Sequence, residues 1–347
     1  MRIRRIAPIA VALLSVMAGF QQGHAVGRRL GTAGAAELLI PMGARNIGMA
    51  GSNVASIQNT DALYYNPAGL AALGWTELGF AYTGYFADMA VSYFTVGSKL
   101  GSTGALGISL QTLSIGEIAV TTIANPEGTG ETIKPNYLTL TGSYARAFTD
   151  RINIGVTAKL IYEQVSDMRG SALACDLGIQ YHSSLGVDLA VVMRNFGTSL
   201  RFSGTGIEFD SEVPYANPNA TTRKTKLDMA SHELPASLVL GASYRYRLSE
   251  NHALNVSGLY SNNSYTIDQM QTGVEYNLMD KVFLRTGYNL ALYPDTYPSG
   301  SKESQFGLTF GFGLRVPLAG RSIQFDYAYR DMDLFDAVQC IGMCVQL

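Results

Sequence analysis

The 347 residues carry 25 Lys and Arg against 27 Asp and Glu, and only 15% of the chain is charged, a balance that argues against nucleic acid as a partner. With 37 Gly, 20 Tyr and a mean hydropathy of +0.10, the chain is more apolar and richer in tyrosine than a typical cytosolic enzyme. Beyond the N-terminus no uninterrupted apolar run reaches the roughly 18 residues that a spanning helix needs, which argues against a helical membrane protein.

Residues 1–25 read as a secretory signal. Arg2, Arg4 and Arg5 form a basic start, Ile6 to Phe20 an apolar core, and Gly23-His24-Ala25 a small-x-small cleavage site, so the mature chain is expected to begin near Val26. Losing three arginines leaves 22 basic residues against 27 acidic ones. Residues 26–74 show no clear period-two pattern. Ala35 to Ile40 and Ile47 to Ala55 fit short helix or strand pieces, and Gly43, Gly48 and Gly51 suggest close backbone packing. This segment reads as a folded plug, too small for a core of its own. Near its end lies Asp61-Ala-Leu-Tyr-Tyr-Asn-Pro-Ala-Gly-Leu70, where Asn66 can cap a short helix, Pro67 suits its first position and Gly74 offers a stop.

From Trp75 onward the period is two. In Arg151 to Glu163, Ile152, Ile154, Val156, Ala158, Leu160 and Tyr162 share one face, and Asn153, Thr157, Lys159 and Glu163 the other. Fourteen such runs are predicted as strands: 75–85, 88–99, 102–115, 136–149, 151–164, 172–183, 186–196, 234–248, 252–262, 267–278, 281–292, 304–316, 321–332 and 335–347. The run 136–149 alternates poorly, with Arg146 on its expected apolar face. Connections such as Thr149-Asp150-Arg151 and Ser249-Glu250-Asn251 are tight, whereas Gly116 to Pro135, Gly197 to Glu233 and Tyr293 to Glu303 are long. Short turns at one end and long loops at the other predict an all-β fold, a 14-stranded antiparallel transmembrane β-barrel over residues 75–347, with residues 26–74 as an internal plug of short helices. A secreted soluble sandwich is the competing class, but its strands are usually five or six residues long.

A barrel in lipid turns its apolar face outward. That places Lys159, Arg194, Arg245, Arg247, Arg285 and Arg330 inside with Glu163, Asp176, Asp188, Glu275 and Asp326. Six cations facing five anions fit salt-bridged packing around a plug better than an ion-selective pore. Tyr162, Tyr246, Tyr260 and Tyr276 fit aromatic girdles near strand ends. Cys340 and Cys344 are four residues apart on one strand, too far to bridge, and Cys175 sits among apolar positions. No catalytic group is nominated: the histidines are scattered without metal-ligand spacing, and no G-x-S-x-G sequence occurs. Asp331, Asp333 and Asp336 lie in an outward loop whose spacing matches no calcium loop. No metal or cofactor is expected.

Three stretches resemble the N-terminal pattern of the PorV/PorQ proteins, which are similar in turn to FadL outer-membrane transporters. They are Gly31-Thr-Ala-Gly-Ala35, Gly43-Ala-Arg-Asn-Ile-Gly-Met-Ala-Gly51 and Asp61 to Leu70. Within the last, Asn66, Pro67, Ala68 and Gly69 match the FadL-type hatch motif, and Arg194-Asn-Phe-Gly197 and Leu234-Pro235 look like further markers. The resemblance implies a hatch-plugged barrel in a Gram-negative-type outer membrane, embedded in its lipid. It implies transport or type IX secretion, with secreted proteins or secretion-system components as partners, or passage of a hydrophobic small molecule as the alternative. Two departures stand out: the loop from Ser166 to Gly170 is short where FadL transporters build part of a groove, and the chain ends in Leu347 rather than an aromatic residue.

Overall fold

The computed structural model describes residues 31–212, 222–292, 307–318, 320–332 and 335–347. The expected signal peptide, the first five residues of the plug (26–30), the loop segment 213–221, the expected long connection Tyr293 to Glu303 and Asp333 lie outside the described residues. Fourteen long strands close one antiparallel barrel. They are β1 Glu77–Gly84, β2 Ala90–Lys99, β3 Ala105–Ser114, β4 Asn136–Thr149, β5 Ile152–Val165, β6 Met168–His182 and β7 Val187–Gly197. The second half comprises β8 Ser237–Ser249, β9 His252–Asn263, β10 Asp268–Leu278, β11 Val282–Leu292, β12 Leu308–Leu318, β13 Arg321–Arg330 and β14 Val338–Gln346. Neighbours in sequence pair throughout, and β1 meets β14 from Glu77↔Gln346 to Gly84↔Gln339, so no edge is left unpaired in lipid.

The ladders correct several predicted ends. β6 starts at Met168 rather than 172, because Ser166, at φ 51°, turns the chain at once and Val165 already pairs with Met168. The supposed loop to Gly170 is therefore a two-residue hairpin turn of Ser166 and Asp167. β8 begins at Ser237 rather than 234, since Pro235 has no N–H for the ladder. β14 begins at Val338, past the predicted 335, because period two carries on into residues with no ladder partner, and β12 is described from Leu308, with the predicted start at 304–306 outside the described residues. The long connections hold short strands of their own: Ile118–Ala119 with Thr132–Ile133, Glu208–Glu212 with Thr222–Lys226, and Arg201–Gly204 alongside β6.

Alternation assigns the faces. On β5, Ile154, Val156 and Leu160 are 41–45% exposed toward lipid, while Asn153, Thr157, Lys159 and Glu163 are buried in the lumen. The irregular β4 keeps the same rule: Thr139, Thr141, Ser143 and Ala145 point inward, and Arg146 points outward opposite Ile154 near the short-turn end of the strand, the end that faces the periplasm in outer-membrane barrels. From there its long stem lets the guanidinium reach the headgroup layer.

The core lies inside the barrel, between wall and hatch. The hatch comprises a 3-10 turn Ala36–Leu39, helix α1 Ala44–Gly48, helix α2 Ala62–Tyr65 and a 3-10 segment Pro67–Ala72. Val54, Ile57, Leu63 and Leu70 are fully buried and pack with Ala105, Ala145, Ala190, Val192, Val239 and Leu259 of the wall. Close approach depends on inward glycines. A Cβ on Gly155 would fall 2.3 Å from the Pro67 carbonyl carbon, and one on Gly287 would fall 2.5 Å from that of Met49. At about 40 residues the hatch relies on this wall for its burial.

Candidate functional site

The Asn66-Pro67 stretch forms the joint between the two last helical pieces of the hatch. Asn66 is extended at φ −159°, ψ 104°, and its side-chain oxygen accepts the Ala68 N–H at 3.1 Å while Pro67 opens the 3-10 segment. Its amide donates to the Val54 carbonyl at 3.0 Å, so both ends of a fully buried amide are satisfied. Gly69 is obligatory there, because a Cβ would fall 2.4 Å from the Ile57 carbonyl oxygen. Asp61 accepts from Asn46 at 2.7 Å and from Asn59 at 3.2 Å. Burial, with Glu77 and Asp326 nearby, pushes its carboxyl up to about 6, against the pull of the Asn59 hydrogen bond.

Opposite the apolar contact, the hatch is pinned by ions. Arg45 reaches out of α1 and holds Glu275 of β10 with both ends of its guanidinium, at 3.0 and 2.8 Å. Glu275 also accepts from Arg285 of β11 at 2.7 Å, and Arg285 bonds Asp326 of β13 at 2.6 Å. Each charge in this chain is desolvated and answered, so the geometry of all four residues is fixed together. Further bonds join hatch backbone to wall: Gln180 donates to the Val54 and Ile57 carbonyls at 3.1 Å, Thr309 to Gly48 at 3.1 Å, and the Thr60 N–H donates to Glu77 at 2.7 Å.

The remaining inward charges fall into separate groups. Lys159 bridges Asp176 at 2.6 Å and Asn195 at 2.7 Å, holding the end of β7 where Asn195 turns left-handed at φ 57°. Glu163 is buried beside Glu37 of the hatch. Asp188 bonds His182 at 2.8 Å. Arg194 donates twice to the Tyr65 carbonyl, at 3.1 and 2.7 Å, with its guanidinium over the rings of Tyr64 and Tyr65. Arg330 is buried close to the same tyrosines and Tyr85. Arg245 and Arg247 stay exposed at the periplasmic mouth. The hatch partners Glu37, Arg45 and Asp61, and the wall residues Glu77 and Arg315, escape a reading by strand alternation. Three of them sit where no period exists, and an inward position does not say what it faces.

Two cavities flank the hatch and share no lining residue. The periplasmic one, about 510 Å³, is polar, bounded by Arg45, Trp75, Arg245, Arg247, Glu275 and Arg315. The outer one, about 560 Å³, sets Leu38, Leu39 and Ile40 of the hatch and Tyr64, Tyr65 and Tyr85 against Arg194 and Arg330. Among the described residues no three His, Cys, Asp or Glu side chains are placed to hold a metal.

Solved structures similar to this chain include barrels of the same plan. The CymD monoaromatic hydrocarbon channel has a TM-score of 0.57 at 13% identity, over 88% of this chain and 97% of that one. The toluene transporter TodX of Pseudomonas putida gives 0.55 at 13% identity, over 88% and 96%. A FadL homologue from Pseudomonas aeruginosa gives 0.50 at 11% identity, over 92% and 97%. At such identities the likeness is one of fold. No curated protein matches in sequence. The family model described as type IX secretion system protein PorV matches residues 24–204, which takes in the hatch and the wall through β7. The chain is therefore an outer-membrane barrel that belongs to the PorV family of type IX secretion system proteins.

Proposed function

We propose that the protein serves type IX secretion as a closed barrel, offering its extracellular face to secreted proteins or to other components of the secretion system, and performs no covalent chemistry. In this reading residues 1–25 are removed on export, residues 26–74 are the hatch and 75–347 the barrel. The observation that carries it is the fastened hatch: the Arg45–Glu275–Arg285–Asp326 chain and the buried apolar contact stand between two cavities that have no lining residue in common. The lumen charges then act as fasteners, with Arg245 and Arg247 lining the periplasmic mouth. The test is surface delivery of a type IX cargo in cells that lack the protein and in cells complemented with it. Delivery should stop and return with the chain. Normal delivery without it would refute the role.

The second reading is transport of a hydrophobic small molecule, and the outer cavity favours it, with apolar hatch residues facing three tyrosines. Liposomes carrying the protein would then take up an apolar solute such as toluene faster than empty ones. Equal uptake would reject that reading.

A further inference from the structure

At the extracellular end of the hatch two acids face each other. Glu37, in the 3-10 turn Ala36–Leu39, is 4% exposed, and Glu163, on the inner face of β5, is 5% exposed. Their carboxyl groups lie within hydrogen-bonding reach of one another. One oxygen of each, Oε1, is buried without an N–H or O–H donor among the described residues. Two carboxylates cannot satisfy each other, since each only accepts. One proton between them supplies the missing donor and removes the like-charge repulsion.

Among the described residues no Lys or Arg pairs with either acid in place of that proton. On β3, the Gln111 amide donates to the Glu37 main-chain carbonyl at 3.0 Å rather than to its carboxyl. Tyr137 of β4 faces both acids. From the loop before β8, His232 faces Glu163, and from the hatch the Ala35 N–H does so. Lys159, four residues down the same face of β5, is held by Asp176 and Asn195. Around the pair, Ala35 and Leu38 pack with Ile161, Ala172, Ala174, Leu200 and Leu234, so opening this contact would uncover the first turn of the hatch.

We propose that Glu37 and Glu163 form a proton-held latch, which fastens the extracellular end of the hatch to the barrel wall and loosens as the pH rises. Burial, and then the charge of Glu163, push Glu37 up from 4.5 to about 8, so the fastened hatch holds the proton where the released one gives it up. A raised carboxyl stabilises the fastened state fully below its free value, and the benefit is lost as pH rises through the folded one. The working window therefore runs from 4.5 to about 8.

The experiment is hydrogen–deuterium exchange of the intact protein, following peptides from residues 31–42 in the wild type and in Glu37→Gln at each pH. Gln supplies a permanent donor to Glu163. The ratio of wild-type to variant exchange should climb with pH across the window, by up to about tenfold per unit, with peptides of β9 and β10 unaffected. Glu163→Gln, which offers the same donor from the wall, should behave alike and serves if the first variant does not fold. A ratio independent of pH would overturn the latch. So would wild-type protection that disappears with a chelator at pH 6, since a divalent cation would then be holding both carboxylates.

Discussion

Glu275 illustrates how one residue can decide the fit of the hatch. Although buried, it accepts from Arg45 on one side and Arg285 on the other. A buried pair adds little net stability over an apolar substitute, but removing one partner leaves the other charge in a largely buried site without its counter-ion. Glu275→Gln should therefore cost about 3 kcal/mol, read as a drop in unfolding free energy in urea with the protein in lipid vesicles. Neighbouring Arg245, exposed at the periplasmic mouth, should tolerate Ala with a change of less than about 0.5 kcal/mol in the same assay.

At the scale of an element, the 3-10 segment Pro67–Ala72 sits where it does because the wall has no side chains under it. Gly155 of β5 and Gly178 of β6 leave the space, and a Cβ on Gly178 would fall 2.0 Å from the Asn66 side-chain oxygen. Gly155→Ala would press on main chain, which cannot rotate away as a side chain could, so a destabilisation of about 1–3 kcal/mol is expected from thermal unfolding. Gly142 of β4 provides the control, because nothing lies within 4 Å of its added Cβ. If Gly142→Ala and Gly155→Ala unfold alike, the close approach of the hatch is not what the glycine secures.

For the whole molecule, an inside-out barrel with its core in the lumen joins the stability of the hatch to that of the wall. Apolar contacts on one side and the ion chain on the other occupy the space between the two cavities. Planar bilayers holding the protein should show no steady porin-like conductance in salt solution. A constant ohmic conductance would mean that this space is open at rest.

Strand number, order and facing were legible in the residues. Alternation over runs such as Ile152 to Tyr162 leaves one answer in lipid, since apolar side chains must face out and every backbone group must be paired. The spread of tight and long connections distinguished the two ends of the barrel, and Asn66-Pro67 announced a cap that the structure contains. Partners across the lumen were not legible. Glu275 could be placed inward by counting, but that it meets Arg45, 230 residues away, depends on how the hatch threads the closed barrel. Nor does the sequence separate the chemistry of Glu163 from that of Glu275: both are inward glutamates on a strand, one answered by two guanidinium groups and the other by a second acid. Local pattern fixes which way a side chain points, and only tertiary packing decides what it meets and therefore whether it carries charge, a proton or a bond.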